Sequence, residues 1–159
     1  QKPRLLLATK TRTAEEINFA LSLGVDLIGE NRVQELCDKY DEINKENAEI
    51  HFIGALQTNK VKYIIDKVSM IHSLDRISLA KEINRQAEKH GKIIDVLCEV
   101  NIGDEESKSG LKPEEVLPFL TEMSKFPNIR VCGLMSIPPK MTSISTQKLY
   151  FQKIRNQCH

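Results

Sequence analysis

The sequence has few of the features that identify secreted or membrane proteins. Its four cysteines stand far apart, with no CxxC pair and no histidine at zinc-finger spacing, so neither a disulfide framework nor a structural zinc site is indicated. No apolar run approaches the roughly 18 residues that cross a bilayer, so we expect no membrane partner. Free thiols without a membrane segment predict a soluble, cytoplasmic protein, with a mitochondrial pool as the alternative location.

An excess of charge of one sign is also missing. Lys and Arg number 23 against 22 Asp and Glu, which gives a formal net charge of +1 in 159 residues. Recognition of a nucleic-acid backbone needs clustered Lys and Arg, whereas here the two signs alternate along the chain. We therefore expect no nucleic-acid partner.

Signatures of several catalytic classes are absent as well. The sequence has no Gly-x-Ser-x-Gly elbow and no Cys/His pair with an orienting acid, so acyl transfer has no nucleophile to start from. His51 and His72 lie inside apolar runs, which is typical of core histidines, and the acidic run 104–106 is typical of a solvated loop. Metal catalysis is not indicated.

The chain does contain a regular alternation of short aliphatic runs and longer amphipathic stretches. The runs predict six buried strands, at 4–8, 25–29, 50–54, 70–73, 93–100 and 129–135. The stretches between them carry helix punctuation: Thr13 and Glu16 have capping-box spacing, Asp75 is an expected N-cap, and Pro113 suits a first helical turn. A sixth helix is predicted over 147–158.

Six βα units in succession predict a parallel sheet with right-handed crossovers, for which an open doubly wound sheet and a (β/α)8 TIM barrel are both suitable. No GxGxxG or GxxxxGK segment follows the first strand, and this favours the barrel. Such a barrel usually takes roughly 200–250 residues. We therefore expect residues 1–159 to form one incomplete domain, truncated at both ends, in a natural protein that begins before Gln1 and continues past His159.

Ligand sites in parallel α/β proteins lie at the carboxyl ends of the strands. The polar residues expected there are mostly amides and hydroxyls, namely Lys10, Glu30, Asn31, Gln57, Ser73, Asp75, Asn101 and Ser136. Lys10 follows an apolar strand, so its ammonium is expected beside a low-dielectric interior, where desolvation lowers the pKa of a lysine as a Schiff-base nucleophile requires. Position alone leaves an ordinary loop lysine as the alternative.

Six segments, in order, cover most of the chain from 5 to 138. They are 6–10, 29–35, 51–60, 72–75, 100–102 with 106–110, and 133–138. Together they resemble the pyridoxal-phosphate homeostasis protein family, whose fold is a barrel of the alanine racemase N-terminal-domain type. The family's phosphate-binding segments and the residue that faces the pyridine nitrogen have no counterpart in this sequence.

The resemblance implies a cofactor, pyridoxal 5′-phosphate (PLP), held as an internal aldimine on Lys10. Five strand-end residues match positions that line the same pocket, namely Asn31, Ser73, Asn101, Met135 and Ser136. Lys108 matches a second family lysine near the rim, where it is a candidate transient acceptor of the aldehyde. A solvated loop lysine is the alternative for Lys108.

The resemblance also implies a role in vitamin B6 homeostasis without demonstrated catalytic turnover. Racemases of this barrel type use a second base from another domain and subunit, and without an opposed base a lysine-bound aldehyde exchanges with amines but does not efficiently lose an α-proton. We therefore expect a PLP carrier, a monomer or weak dimer, with PLP-dependent apoenzymes as recipients. The alternatives are a PLP-dependent amino-acid racemase or related enzyme, and a scaffold with a degenerate barrel that binds no cofactor.

Overall fold

The computed structural model describes residues 2–103, 109–138, 148–149, 152–153 and 155–156. Six strands, β1 to β6, form one parallel sheet. Their bounds are Leu7–Ala8, Leu27–Glu30, Glu49–Phe52, Met70–Leu74, Ile94–Glu99 and Ile129–Met135. All six predicted strands are confirmed: β6 has the predicted bounds, and the ends of the other five differ from the prediction.

Helices fill the connections between the strands. The α-helices α1 to α5 span Ala14–Ser22, Val33–Lys39, Val61–Ile64, Ile77–Lys89 and Val116–Met123, and short 3-10 helices span Tyr40–Glu42, Thr58–Lys60 and Pro113–Glu115. The capping box is confirmed, since Thr13 Oγ1 accepts from Glu16 N at 3.1 Å and Glu16 Oε1 accepts from Thr13 N at 3.2 Å. Across the described ranges, no helix is both long and apolar enough to cross a bilayer.

One helix boundary differs from the sequence expectation, whereas the position of Pro113 in a first helical turn is confirmed. The N-cap expected at Asp75 is wrong: Arg76 holds that position without a side-chain cap, because the Asp75 carboxylate instead accepts from Gly110 N at 3.0 Å and Arg76 Nη1 at 2.9 Å. Pro113 opens a 3-10 helix that leads into α5. Within the predicted helix 147–158, the described residues are helical.

The order of the strands in the sheet decides between the two predicted architectures. Each strand pairs with the next one along the chain, from β1 through to β6. A doubly wound sheet reverses direction at a switch point, whereas strands that advance in one direction are typical of a barrel. The chain therefore contributes six βα units of a (β/α)8-type barrel.

The main core lies between the sheet and the helices. Alternate strand residues such as Ile28, Phe52 and Ile71 are fully buried there. They belong to one apolar cluster with helix residues, among them Ile17, Leu36, Ile64, Leu79 and Ile83. One core on this side of the sheet fixes the strand register and thereby leaves the strand ends in defined positions.

The other face of β3 and β4 carries a polar chain. His51 Nδ1 lies 2.9 Å from His72 Nε2, and His51 Nε2 lies 3.2 Å from Glu49 Oε2. Burial, followed by the charge of His51, lowers the pKa of His72 to about 4. Burial also lowers the pKa of His51, against the opposing effect of Glu49. The two histidines thus satisfy each other, and the predicted core position is confirmed for His51, whereas His72 is half-buried.

We expect the folded protein to lose stability in mild acid. Unfolded histidine titrates near pH 6.5, whereas the pKa of folded His72 is about 4. Between these values the unfolded chain binds more protons, so the free energy of unfolding falls as the pH decreases through this window. Urea unfolding at a series of pH values measures the fall.

The variant His72→Gln removes this proton uptake and should flatten the pH dependence. His90→Gln, at an exposed position after α4, is the control and should keep the wild-type slope. A wild-type slope in His72→Gln would contradict the prediction.

Candidate functional site

The carboxyl ends of the parallel strands meet at one edge of the sheet, and the predicted site residues lie there. Each is at or just beyond the end of a strand, namely Lys10, Asn31, Ser73, Asn101, Met135 and Ser136. Lys108 lies outside the described residues. Five different strands thus contribute to one edge, although the residues are spread over most of the sequence.

Three of these residues carry buried oxygen atoms without a hydrogen-bond partner. The atoms are Asn31 Oδ1, Ser73 Oγ and Ser136 Oγ, and among the described residues the only other such atom is Glu30 Oε2. Ser73 is only 4% exposed. Buried polar groups are normally hydrogen-bonded, and an unsatisfied one costs about 1–3 kcal/mol. Their concentration at the strand ends fits a site for a polar ligand.

Asn31 is fixed by the loop that follows β3. A Cβ added to Gly54 would lie 2.1 Å from Asn31 O, so only glycine permits this approach of the two loops. One residue earlier, Ile53 N donates to Glu30 O at 2.9 Å. The backbone around Asn31 is therefore held by β3, and its side-chain oxygen stays available.

Backbone contacts also hold Asn101 and Met135. Val100 N donates to Met135 O at 2.8 Å, and Asn101 N donates to Leu111 O at 2.7 Å. The Asn101 side chain accepts from Gly103 N at 3.3 Å. These bonds tie the end of β5 to the end of β6 and to the segment that begins at residue 109.

Lys10 lies in the turn between β1 and α1 and is exposed. The sequence predicts an ammonium against a low-dielectric interior, whereas the structure leaves Lys10 exposed, beside Thr11, whose φ is +63°. Lys10 therefore has the predicted position without the predicted burial. The amine lies at the expected strand end and is open to solvent.

A buried cluster lies beneath this turn, in which the sequence reasoning named Glu30 as a strand-end residue but missed its partner Lys39. Lys39 Nζ, on α2, lies 2.7 Å from Glu30 Oε1 and donates to the carbonyls of Thr9 at 2.9 Å and Arg12 at 2.8 Å. Glu30 is 0% exposed and Lys39 is 7% exposed. The one available signal was the i,i+4 spacing of Glu35 and Lys39, which more often marks a solvent-facing pair.

Glu99, at the end of β5, is a second buried acid that the sequence reasoning missed, because it lies inside an apolar run. It lines a cavity of about 160 Å³ together with Ser73 and Asp75. Burial, followed by the charge of Asp75, raises the pKa of Glu99, against a hydrogen bond from Ser109 at 3.3 Å. Glu99 therefore holds its proton more readily than an exposed glutamate does.

The arrangement combines one accessible primary amine with neutral hydroxyl and amide groups. Such a set can bind a carbonyl compound covalently and hold its polar groups by hydrogen bonds. Within residues 2–103 and 109–138, no group of three or more His, Cys, Asp or Glu side chains is placed to hold a metal ion.

Comparison with known proteins agrees with this fold. The family model described as "Alanine racemase, N-terminal domain" matches residues 5–159. The match and the sequential parallel sheet define the class of protein as a barrel of the alanine racemase N-terminal-domain type.

More similar relatives narrow this class. The "Pyridoxal phosphate homeostasis protein" of Aquifex aeolicus is 46% identical over 152 residues, which are 96% of this chain and 67% of the relative. The protein of the same name from Pasteurella multocida is 36% identical over 155 residues, 96% of this chain and 66% of the relative. The chain belongs to the pyridoxal phosphate homeostasis protein family, and it spans about two thirds of the length of these curated relatives.

Among solved structures, PipY from Synechococcus elongatus with PLP bound is similar to this chain in fold. It is 27% identical, its TM-score is 0.88, and the match covers 99% of this chain and 75% of PipY.

Replacing Ser73 with alanine should stabilise the ligand-free protein. The hydroxyl is buried and unpartnered, so its removal is expected to raise the free energy of unfolding by about 1–3 kcal/mol. Urea unfolding without ligand measures the change. Ser124→Ala is the matched control, since Ser124 Oγ donates to Thr121 O at 2.7 Å and its loss should not stabilise. A destabilised Ser73→Ala would show that this hydroxyl is satisfied in the ligand-free protein.

Proposed function

We propose that this chain binds PLP covalently through Lys10 and acts in PLP homeostasis as a carrier without catalytic turnover. The observation that carries the proposal is the group of unpartnered buried oxygens on Asn31, Ser73 and Ser136, at the same sheet edge as the exposed amine. The names of the relatives and the PLP bound to PipY support it.

The residues fit this cofactor. When bound, PLP supplies an aldehyde that condenses reversibly with a primary amine, forming a C=N bond and releasing water. Lys10 is the primary amine, and its exposure makes it accessible from solvent. The Ser73 and Ser136 hydroxyls and the Asn31 amide oxygen gain hydrogen-bond partners when a polar molecule occupies the site.

Asn101 and Met135 form the proposed wall of the pocket between β5 and β6, where their backbones are tied to neighbouring segments. Lys108 is proposed as a second acceptor at the rim on the resemblance alone. PLP-dependent apoenzymes are the proposed recipients of released cofactor, in the cytoplasm, with a monomer or weak dimer as the working state.

The contacts of Asp75 at this edge favour a carrier role over catalysis. Removal of an α-proton needs an unprotonated base directed at the substrate. Both Asp75 oxygens already accept hydrogen bonds within the protein, Oδ1 from Arg76 and Oδ2 from Gly110 N. The Asp75 carboxylate is therefore poorly placed to act as such a base.

Absorption spectroscopy tests the proposed attachment. Addition of PLP to the wild type should produce the near-visible band of a lysine-bound cofactor. Lys10→Arg should lack this band, because arginine keeps the positive charge but has no primary amine that condenses. Lys81→Arg, at an exposed position within α4, is the matched control and should keep the band. Equal bands in the wild type and Lys10→Arg would refute attachment at Lys10.

Hydrogen exchange at the substrate separates a carrier from a racemase. In D2O, the PLP-loaded protein should incorporate deuterium at the α-carbon of a panel of amino acids no faster than free PLP at equal concentration. Proton NMR measures the exchange. Faster incorporation that disappears in Lys10→Arg would favour the racemase, and a wild type that binds no PLP would favour the degenerate scaffold.

A further inference from the structure

The turn that carries Lys10 is short and held in an uncommon conformation. Arg12 N donates to Thr9 O at 3.1 Å and so closes the turn around Lys10 and Thr11. Thr11 has a φ of +63°, which is unfavourable for a β-branched residue and costs about 1–3 kcal/mol. A conformation of this kind persists only when the surrounding structure fixes it.

Lys39 provides contacts that fix the turn at both of its ends. Its ammonium donates to Thr9 O, before Lys10, and to Arg12 O, after Thr11. The same nitrogen lies 2.7 Å from Glu30 Oε1 and 2.9 Å from Glu35 Oε1. An ammonium has three protons, so four close oxygens leave it no further capacity to bind.

Two carboxylates keep this ammonium in place. Glu30 is fully buried on β2 and also accepts from Thr9 Oγ1 at 2.6 Å. Glu35 accepts from the backbone N–H of Thr11, the strained residue itself. Burial raises the pKa of Glu35, but the hydrogen bonds from Lys39 and Thr11 outweigh it and keep that pKa below its ordinary value. Breaking such a buried pair leaves charges without partners, which is strongly unfavourable.

The contacts of Lys39 extend beyond what helix packing requires. An ion pair with Glu30 alone would join α2 to β2, whereas the bonds to the Thr9 and Arg12 carbonyls act on the turn. We propose that Lys39 is a positioning residue for Lys10: its buried ammonium fixes the turn between β1 and α1 so that the Lys10 amine is presented to the aldehyde of the cofactor. This inference rests on the proposed function and specifies how its central residue is held.

The chain offers a matched control for Lys39. Lys92 Nζ also donates to two loop carbonyls, those of Ile65 at 2.8 Å and Val68 at 3.1 Å. These carbonyls lie between α3 and β4, in a different connection from the one that carries Lys10. Lys92→Met therefore removes the same type of contact without touching the turn.

The experiment compares the wild type, Lys39→Met and Lys92→Met in PLP titrations followed by the absorption of lysine-bound cofactor. Lys39→Met should bind about tenfold more weakly or worse, since small errors in placing a reacting group have large effects, and Lys92→Met should bind as the wild type does. Without cofactor, the amide hydrogens of Thr9 and Arg12 should exchange faster in Lys39→Met alone. Thermal unfolding records that both variants are folded at the assay temperature.

The possible results separate this inference from the proposed function. A Lys10-dependent wild-type band together with unchanged affinity in Lys39→Met would overturn the inference alone. A wild type without that band would overturn both. If Lys39→Met does not fold, Glu35→Ala replaces it in the experiment. This variant removes the carboxylate that accepts from Thr11 N, at a position that is only partly buried. It should weaken binding about threefold, and wild-type affinity in that variant would equally overturn the inference.

Discussion

Parallel pairing between consecutive strands is the constraint on which the candidate site depends. Because each strand pairs with the next one in the same direction, every strand ends at the same edge of the sheet. Residues as distant in sequence as Lys10 and Ser136 reach that edge through backbone hydrogen bonds and register, without a local motif. The apolar core on the helix side fixes this register, since a shift of one residue would expose its buried strand positions.

Several energetically unfavourable features lie at this same edge of the sheet. Unpartnered buried oxygens and a threonine at positive φ occur at the strand ends and in the turn after β1, whereas the polar side chains of His51 and His72 in the middle of the sheet are satisfied by each other. Departures of this kind cluster at functional sites, where a ligand or the surrounding structure compensates for them. Their position supports the strand ends as a binding site independently of any relative.

Much of the fold follows from local sequence, and the site follows only in part. Aliphatic runs and the Thr13 capping box predict the strands and the start of α1, because hydrophobic period and capping are short-range properties. Lys39 points inward because it pairs with the buried Glu30 on β2. The sequence pattern of α2 alone does not indicate a partner on a strand. Aspartate is a common N-cap residue. The Asp75 carboxylate nevertheless accepts a hydrogen bond from Gly110 N, which is far along the chain. Long-range partners of this kind arise only from the assembled fold.

Under the proposed function, the turn after β1 combines two requirements that usually conflict. Covalent attachment is favoured when the reacting group is already in place, since less conformational freedom is then lost on binding. Release to an incoming amine requires that the same group stays accessible from solvent. Lys39, held by Glu30 and Glu35, fixes the backbone on both sides of Lys10. The turn therefore keeps its conformation although the Lys10 side chain is exposed. Fixed backbone beneath an exposed amine therefore allows uptake and release of a reactive aldehyde at one position.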